Sequence, residues 1–422
     1  MTEREETVRR DYEAARERFA SLGVDVDAAR EALGRVSLSL PCWQADDVRG
    51  LEGREGGPGG GLQVTGGRPG LPRNVEELRA DLAQALSLLP GRHRINLHAM
   101  YGEFPPGVDR DALGPEHFRG WVEWAREEGA GLDFNATCFA HPLAEGGFTL
   151  ASPDEGVRSF WIAHVERARE TAAWMGRELG EPCLHDLWIP DGSREDPVSR
   201  FRFREILKES LDRIYAGRFD PDLLKDSVES KLFGIGAESF TAGSHEFYLL
   251  YALEKGIFPC LDMGHFHPTE SVADKISSLL VFFPEILLHL SRGVRWDSDH
   301  VVILDQPLQE TALEVVRAGA LERVHLALDF FDGGIDRVGA LVLGARAAAR
   351  ALLRALLEPA EALEEREEAG DGFGVLFLRE EWKDLPFGAV WRCHCLEAGV
   401  PWGEELLERI RSYEREVLLP RG

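Results

Sequence analysis

Seven side chains of metal-ligand type punctuate the middle and later part of this chain: Glu229 in VESK, Asp262 and His265 in LDMGHFHP, His289 in LLHLSR, Asp297 and Asp299 in RWDSDH, and Asp329 in LALDFFD. Each follows a short apolar run. An acid or an imidazole therefore recurs where a buried strand would emerge into a loop, which is where barrel enzymes present their catalytic groups. Carboxylate oxygens suit Mg2+ and Mn2+, and imidazole moves the preference toward Mn2+, Co2+ or Zn2+. One ion takes about four to six ligands, some of them water. Five carboxylates and two histidines exceed that need, so two ions are expected. Glu229, Asp262, His289 and Asp329, one from each of four successive late strands, form a first set. His265, Asp297 and Asp299 form a second, and the spacing of Asp262 and His265 would let Asp262 bridge the two. In extended chain Asp297 and Asp299 fall on one face.

Taken singly, each has an ordinary reading. His289 alone would be a hydrogen-bonded core histidine, Asp329 a helix cap, and the Asp297/Asp299 pair a solvated loop. Their conjunction at consecutive strand ends selects a metal site. Lys231 adds to it, since only six lysines stand against forty-two arginines, and its place two residues after Glu229 puts both side chains on one face of a strand.

Eight runs supply strands to carry these groups: 36–43, 94–101, 131–138, 183–190, 226–233, 258–266, 286–292 and 323–331. The segments between them hold helical stripes long enough for right-handed crossovers. Eight strand-helix units over roughly 300 residues predict an α/β protein, a (β/α)8 TIM barrel, with a doubly wound open sheet as the alternative. Helices are expected over 3–22 and 26–33. Another should start at Asn74, capped by a box with Glu77 and carrying Leu78, Leu82, Leu86 and Leu89. The expected organisation is an N-terminal helical segment (1–35), a barrel catalytic domain (36–335) and a C-terminal helical extension (336–422) making oligomer contacts. The glycine-rich stretch 53–70 lacks a phosphate-binding pattern and reads as a mobile lid or subunit-contact loop.

Composition narrows the function classes. The formal charge is 48 − 74 = −26, a field that repels phosphate backbones and anionic membranes, so neither nucleic acid nor membrane is an expected partner. With no long apolar run and a charged N-terminus, the protein is expected to be cytoplasmic. The six cysteines are too scattered for a disulfide framework, and Cys393-His394-Cys395 lacks the second ligand pair of a zinc site.

The segments CWQADD, NLHAMY, LDFNATCF, WIPDG, VESKLFGIGAES, LDMGHFHPTE, RWDSDHVV and LALDFFD, in this order, closely resemble the L-rhamnose isomerase family, nearly end to end. The resemblance implies a metal-dependent barrel, usually a homotetramer, that interconverts the sugar substrates L-rhamnose and L-rhamnulose with two divalent ions per subunit, Mn2+ or else Co2+, Zn2+ or Mg2+. It gives Glu229, Asp262, His289 and Asp329 to the structural, substrate-binding ion and His265, Asp297 and Asp299 to the catalytic one. It also makes Lys231 a contact to a sugar hydroxyl, His98 a contact near the ring oxygen and Trp188 a wall of the pocket. Asp329, His98, Lys231 and Asp297 become the candidate catalytic groups. The departures lie in loops, 53–70 and 102–111, where sugar breadth is decided.

Aldose and ketose differ by one hydrogen moved between C1 and C2 together with a hydroxyl proton. Two ions suit a hydride shift, with an enediol route using Asp329 as base in competition. An isomerase or epimerase of a related barrel acting on another aldose is the alternative. A typical epimerase, with one ion and a symmetric pair of carboxylates, would leave His265, Asp297 and Asp299 unused. A phosphodiesterase would want basic residues around its metals, and a non-catalytic sugar binder would not need two ions.

Overall fold

The computed structural model describes residues 2–52, 66–231, 239–294 and 298–421. Two helices, α1 (Glu3–Ala20) and α2 (Val26–Arg35), come first. Strands and helices then alternate: β1 (Leu38–Pro41), α3 (Val75–Ser87), β2 (Arg94–His98), α4 (Arg119–Glu128), β3 (Gly131–Asn135), α5 (Glu155–Leu179), β4 (Cys183–Leu187) and α6 (Arg200–Ile214). The second half continues with β5 (Leu224–Glu229), α7 (His245–Lys255), β6 (Phe258–Asp262), α8 (Ala273–Leu280), β7 (Ile286–Leu290), α9 (Gln306–Arg317), β8 (Val324–Leu328) and α10 (Arg337–Leu356).

Each of these eight strands pairs in parallel with its sequence neighbours, and β1 pairs with β8 as well as β2, which closes the barrel. The open-sheet alternative is thereby excluded. β3, β4 and β7 are buried at every residue, as parallel strands covered on both faces must be. Register places Asp262 beside His289 and Glu229 beside Cys260.

Local chemistry sets the helix boundaries. Asp154 caps α5 by accepting from the N–H groups of Gly156 and Val157, and the helix ends at Gly180 with φ 73°, a left-handed position that glycine tolerates. Asn74 caps α3 through Glu77 N at 2.9 Å. The expected box closes differently, because the Glu77 carboxylate accepts from Arg73 N, one residue earlier.

Four more helices follow the barrel: α11 (Ala360–Glu368), α12 (Gly372–Lys383), α13 (Phe387–Glu397) and α14 (Glu404–Tyr413). They tie back to the N-terminal helix, with Phe19 and Phe387 meeting edge to face at 5.3 Å and Arg4 donating to Trp402 O at 2.9 Å. All six cysteines are buried and free. Of the glycine-rich stretch, 53–65 lies outside the described residues. Its end bridges to the barrel at Gly66, where an added Cβ would fall 2.4 Å from the Gly333 backbone.

Candidate metal centre

The four late strands end on ligand-type side chains. Glu229 closes β5, Asp262 closes β6, His289 is the last residue but one of β7, and Asp329 directly follows β8. Their ligand atoms all lie within 4.8 Å of one another. His289 Nδ1 stands 3.4 Å from Glu229 Oε1, 3.7 Å from Asp262 Oδ2 and 3.4 Å from Asp329 Oδ2. Ligand bonds of about 2.0 to 2.3 Å put neighbouring donor atoms roughly 3 to 3.7 Å apart, so these separations fit one coordination shell.

Hydrogen bonding orients two of these carboxylates and leaves other ligand atoms open. Asp262 Oδ1 accepts from Ser291 Oγ at 2.6 Å and Gly264 N at 2.5 Å. Trp43 Nε1 donates to Asp329 Oδ1 at 3.1 Å, so Oδ2 is the oxygen that faces His289. Glu229 Oε1 and both His289 ring nitrogens find no hydrogen-bond partner among the described residues. Orphaned polar atoms this deep are costly unless a ligand completes them.

The charge balance agrees. Burial drives Glu229 well above the usual carboxylate range. His289 is held well above the ordinary imidazole value against its own burial, by Cys260, Glu229 and Asp329 around it. Asp329 is held low against its burial, through His289 and then His265 and His98. Three carboxylates and one imidazole in a dry site call for a divalent cation, and hard oxygens with one nitrogen suit Mn2+ or its relatives.

His265, in the turn after β6, brings Nδ1 to 3.3 Å from Glu229 Oε1. Glu229 thus stands between the two histidines. Asp299 adopts a left-handed φ of 43°, and its carbonyl accepts from Phe331 N at 3.1 Å, which lays its loop against the end of β8. Asp297 lies outside the described residues.

The remaining candidates line up across the mouth on the other side. His98, at the end of β2, has its ring edge-on to Trp43 at 4.8 Å and to Phe139 at 5.3 Å. Burial lowers its pKa to about 3, so it is neutral at physiological pH. Trp188 meets Phe139 at 5.9 Å, and Lys231 Nζ lies 6.0 Å from the Trp188 ring while donating to Pro190 O at 2.9 Å. Trp43, Phe139 and Ser291 did not stand out as site residues in the sequence. The one signal for Trp43 was its place at a strand end in CWQADD.

Comparison with known proteins converges on one family. The model of the L-rhamnose isomerase (RhaA) family matches residues 6–421. The L-rhamnose isomerase of Bacteroides thetaiotaomicron is 51% identical over 419 residues, 99% of this chain and 100% of that protein. That of Salmonella gallinarum is 52% identical over 411 residues, covering 97% and 98% of the two chains. Among solved structures, a putative xylose isomerase from Rhodospirillum rubrum covers 74% of this chain and 98% of its own, at a TM-score of 0.48 and 13% identity.

Proposed function

The chain belongs to the L-rhamnose isomerase family, and we propose that it interconverts L-rhamnose and L-rhamnulose by ring opening and a metal-assisted C2 to C1 hydrogen shift. The observation that carries this reading is the convergence of Glu229, Asp262, His289 and Asp329, with Glu229 Oε1 and the His289 ring nitrogens open, in an isomerase matched over its whole length.

These four would hold one ion, and His265, Asp297 and Asp299 the other, with Mn2+ the metal of choice. Bound there, divalent ions supply Lewis acidity that polarises the sugar carbonyl and lowers the pKa of its hydroxyls. The protein's own groups do the rest. Trp43, Phe139 and Trp188 offer aromatic edges and faces to the C–H surface of the sugar and exclude water. His98, a neutral imidazole, offers a hydrogen bond near the ring oxygen as the ring opens. Lys231, 5% exposed, fixes a hydroxyl with a charge-assisted hydrogen bond. Asp329, kept anionic, is the base should an enediol route operate.

The proposed assembly is a cytoplasmic homotetramer built on an N-terminal helical segment (1–35), a catalytic barrel (36–335) and a helical extension (336–422). Support for the subunit contacts comes from α12, whose Phe373, Leu376 and Phe377 are 78%, 58% and 55% exposed on one helical face. Among the described residues no helix is long and apolar enough to cross a membrane.

The test is conversion of L-rhamnose by chelator-stripped protein before and after Mn2+, alongside Asp297→Asn. Activity should return with metal in the native protein and not in the variant. Tight metal binding without conversion of L-rhamnose by any divalent ion would overturn the substrate assignment.

A further inference from the structure

Directly beneath the proposed ligand set lies a second cluster that the isomerase chemistry does not use. Cys260, two residues before Asp262 on the same face of β6, joins Asp186 of β4, Glu229 and His289, with one ligand atom from each within 4.8 Å of the others. All four are buried. Asp186 is 3% exposed; one carboxylate oxygen accepts from Ser227 Oγ, and the other, Oδ2, has no hydrogen-bond partner among the described residues. Below Cys260 the barrel is closed by an apolar plug of Leu184, Leu287 and Ala327, so the cluster has a dry floor. His289 and Glu229 belong to both sets, with the oxygen-rich one above and the thiol-bearing one below.

The donor types differ in a way that selects metals. The upper set offers three carboxylates and an imidazole, which suits Mn2+. The lower set replaces two of those carboxylates with a thiol and Asp186, and soft sulfur in a four-ligand site favours Zn2+ or Cd2+. We propose that a thiophilic divalent ion binds Asp186, Glu229, Cys260 and His289 and, by taking the two shared ligands, displaces the ion of the upper set. The ion forms a bond to Sγ as the thiol proton leaves to solvent, so the ion stays divalent and the site gains a net charge of one. The lower set is then an inhibitory metal register inside the same barrel. The displacement rests on the proposed upper site, whereas binding of the thiophilic ion stands without it.

Two readouts keep these separate. Cd2+ added to chelator-stripped protein should raise a sulfur-to-metal charge-transfer band in the ultraviolet, one equivalent per chain, that is missing in Cys260→Ala and Cys260→Ser. Mn2+-supported turnover should fall with rising Zn2+, and the inhibition constant should rise about tenfold or more in Cys260→Ala and in Asp186→Asn, the usual cost of altering a metal's surroundings. Both variants should turn over near the native rate with Mn2+ alone. Absence of the band in the native protein, its persistence in Cys260→Ser, or unchanged Zn2+ inhibition in Cys260→Ala would overturn the proposal. A band that forms normally in a protein that does not isomerise L-rhamnose would leave the lower site standing and remove only the substrate assignment.

Discussion

Asp133 in β3 and Glu229 in β5 are buried almost equally, at 4% and 3% exposure, yet their surroundings treat them in opposite ways. Asp133 is closed off: Ser39 Oγ donates at 2.7 Å, Leu184 N at 2.9 Å, and Arg94 pairs with both oxygens. Glu229 Oε1 faces two imidazoles at 3.3 and 3.4 Å and accepts a hydrogen bond from no described residue. A pair of histidines shows the same difference. On the early arc, His164 uses both ring nitrogens, toward Thr137 N and Arg110 O, each at 3.0 Å. His289 on the late arc uses neither in a hydrogen bond. Equal burial with unequal satisfaction separates groups that hold the barrel together from groups that wait for a ligand.

The strongest way to break the comparison is to neutralise the open side. Glu229→Gln should cost about ten-thousandfold or more in turnover, since a metal ligand supplies several kcal/mol of transition-state stabilisation. In metal-stripped protein the same change should hold or raise the melting temperature, because Glu229 Oε1, driven toward its neutral form by burial, accepts no hydrogen bond that the amide would lose. Addition of Mn2+ should then stabilise the variant less than its parent, as mass action requires when one of the two proposed sites is lost. Calorimetry with and without metal reads both signs, and a stripped variant less stable than its parent would contradict the contrast.

On the closed side the signs reverse. Asp133→Ala should lower stability by about 3 to 5 kcal/mol, the cost of stranding a buried guanidinium. The effect should fall at the lower end of that range, because Glu181 still lies 2.8 Å from Arg94. Mn2+ affinity of the folded protein should stay unchanged. A titration showing weakened metal binding would mean that the two arcs are coupled.

Much of this arrangement was legible in the chain, for a physical reason. Parallel strands buried on both faces are continuous apolar runs, so an acid or histidine at their ends is conspicuous, and all eight runs became barrel strands. Their ends were harder to place. The stretch 94–101 stops being strand at His98 because Ala99–Tyr101, though apolar, coils into a 3-10 turn. The first ligand set could be grouped because its members come from successive strands. The hydrogen bond from Trp43 to Asp329 could not, because it joins residues 286 positions apart and exists only because β1 closes against β8. Nor could spacing show that Glu229 lies between the two histidines, which depends on how far each side chain reaches across the mouth.

A subtler contrast concerns histidines and acid. His93, just before β2, is held neutral with a pKa lowered to about 4, first by burial, while its ring nitrogens engage Pro90 O at 3.1 Å and Leu38 N at 3.4 Å. The unfolded chain takes up a proton near the ordinary imidazole value of 6.5 and the folded one resists until about 4. Stability is therefore full above pH 6.5 and is lost as pH falls from 6.5 toward 4, by about 3 kcal/mol in all. With metal stripped from both proteins, His93→Gln should flatten that limb of the stability curve. An equally steep limb in the variant would assign the acid sensitivity elsewhere.

The smallest expected effect tests the seam where the two arcs meet. Trp43 follows the first strand but serves the last: its indole N–H occupies Asp329 Oδ1 and leaves Oδ2 toward His289, while its ring lies edge-on to His98. Trp43→Phe keeps the aromatic edge and removes the donor alone. Turnover or Mn2+ affinity should fall about ten- to a hundredfold, the usual consequence of losing a partner that orients a ligand. If the N–H fixes which oxygen of Asp329 meets the metal, the loss will appear as weakened Mn2+ binding with KM for the sugar preserved at saturating metal. If the indole acts only as a wall for the sugar, KM will rise and metal affinity will hold, and Trp43 would then belong with Trp188 and not with the metal's supporting groups.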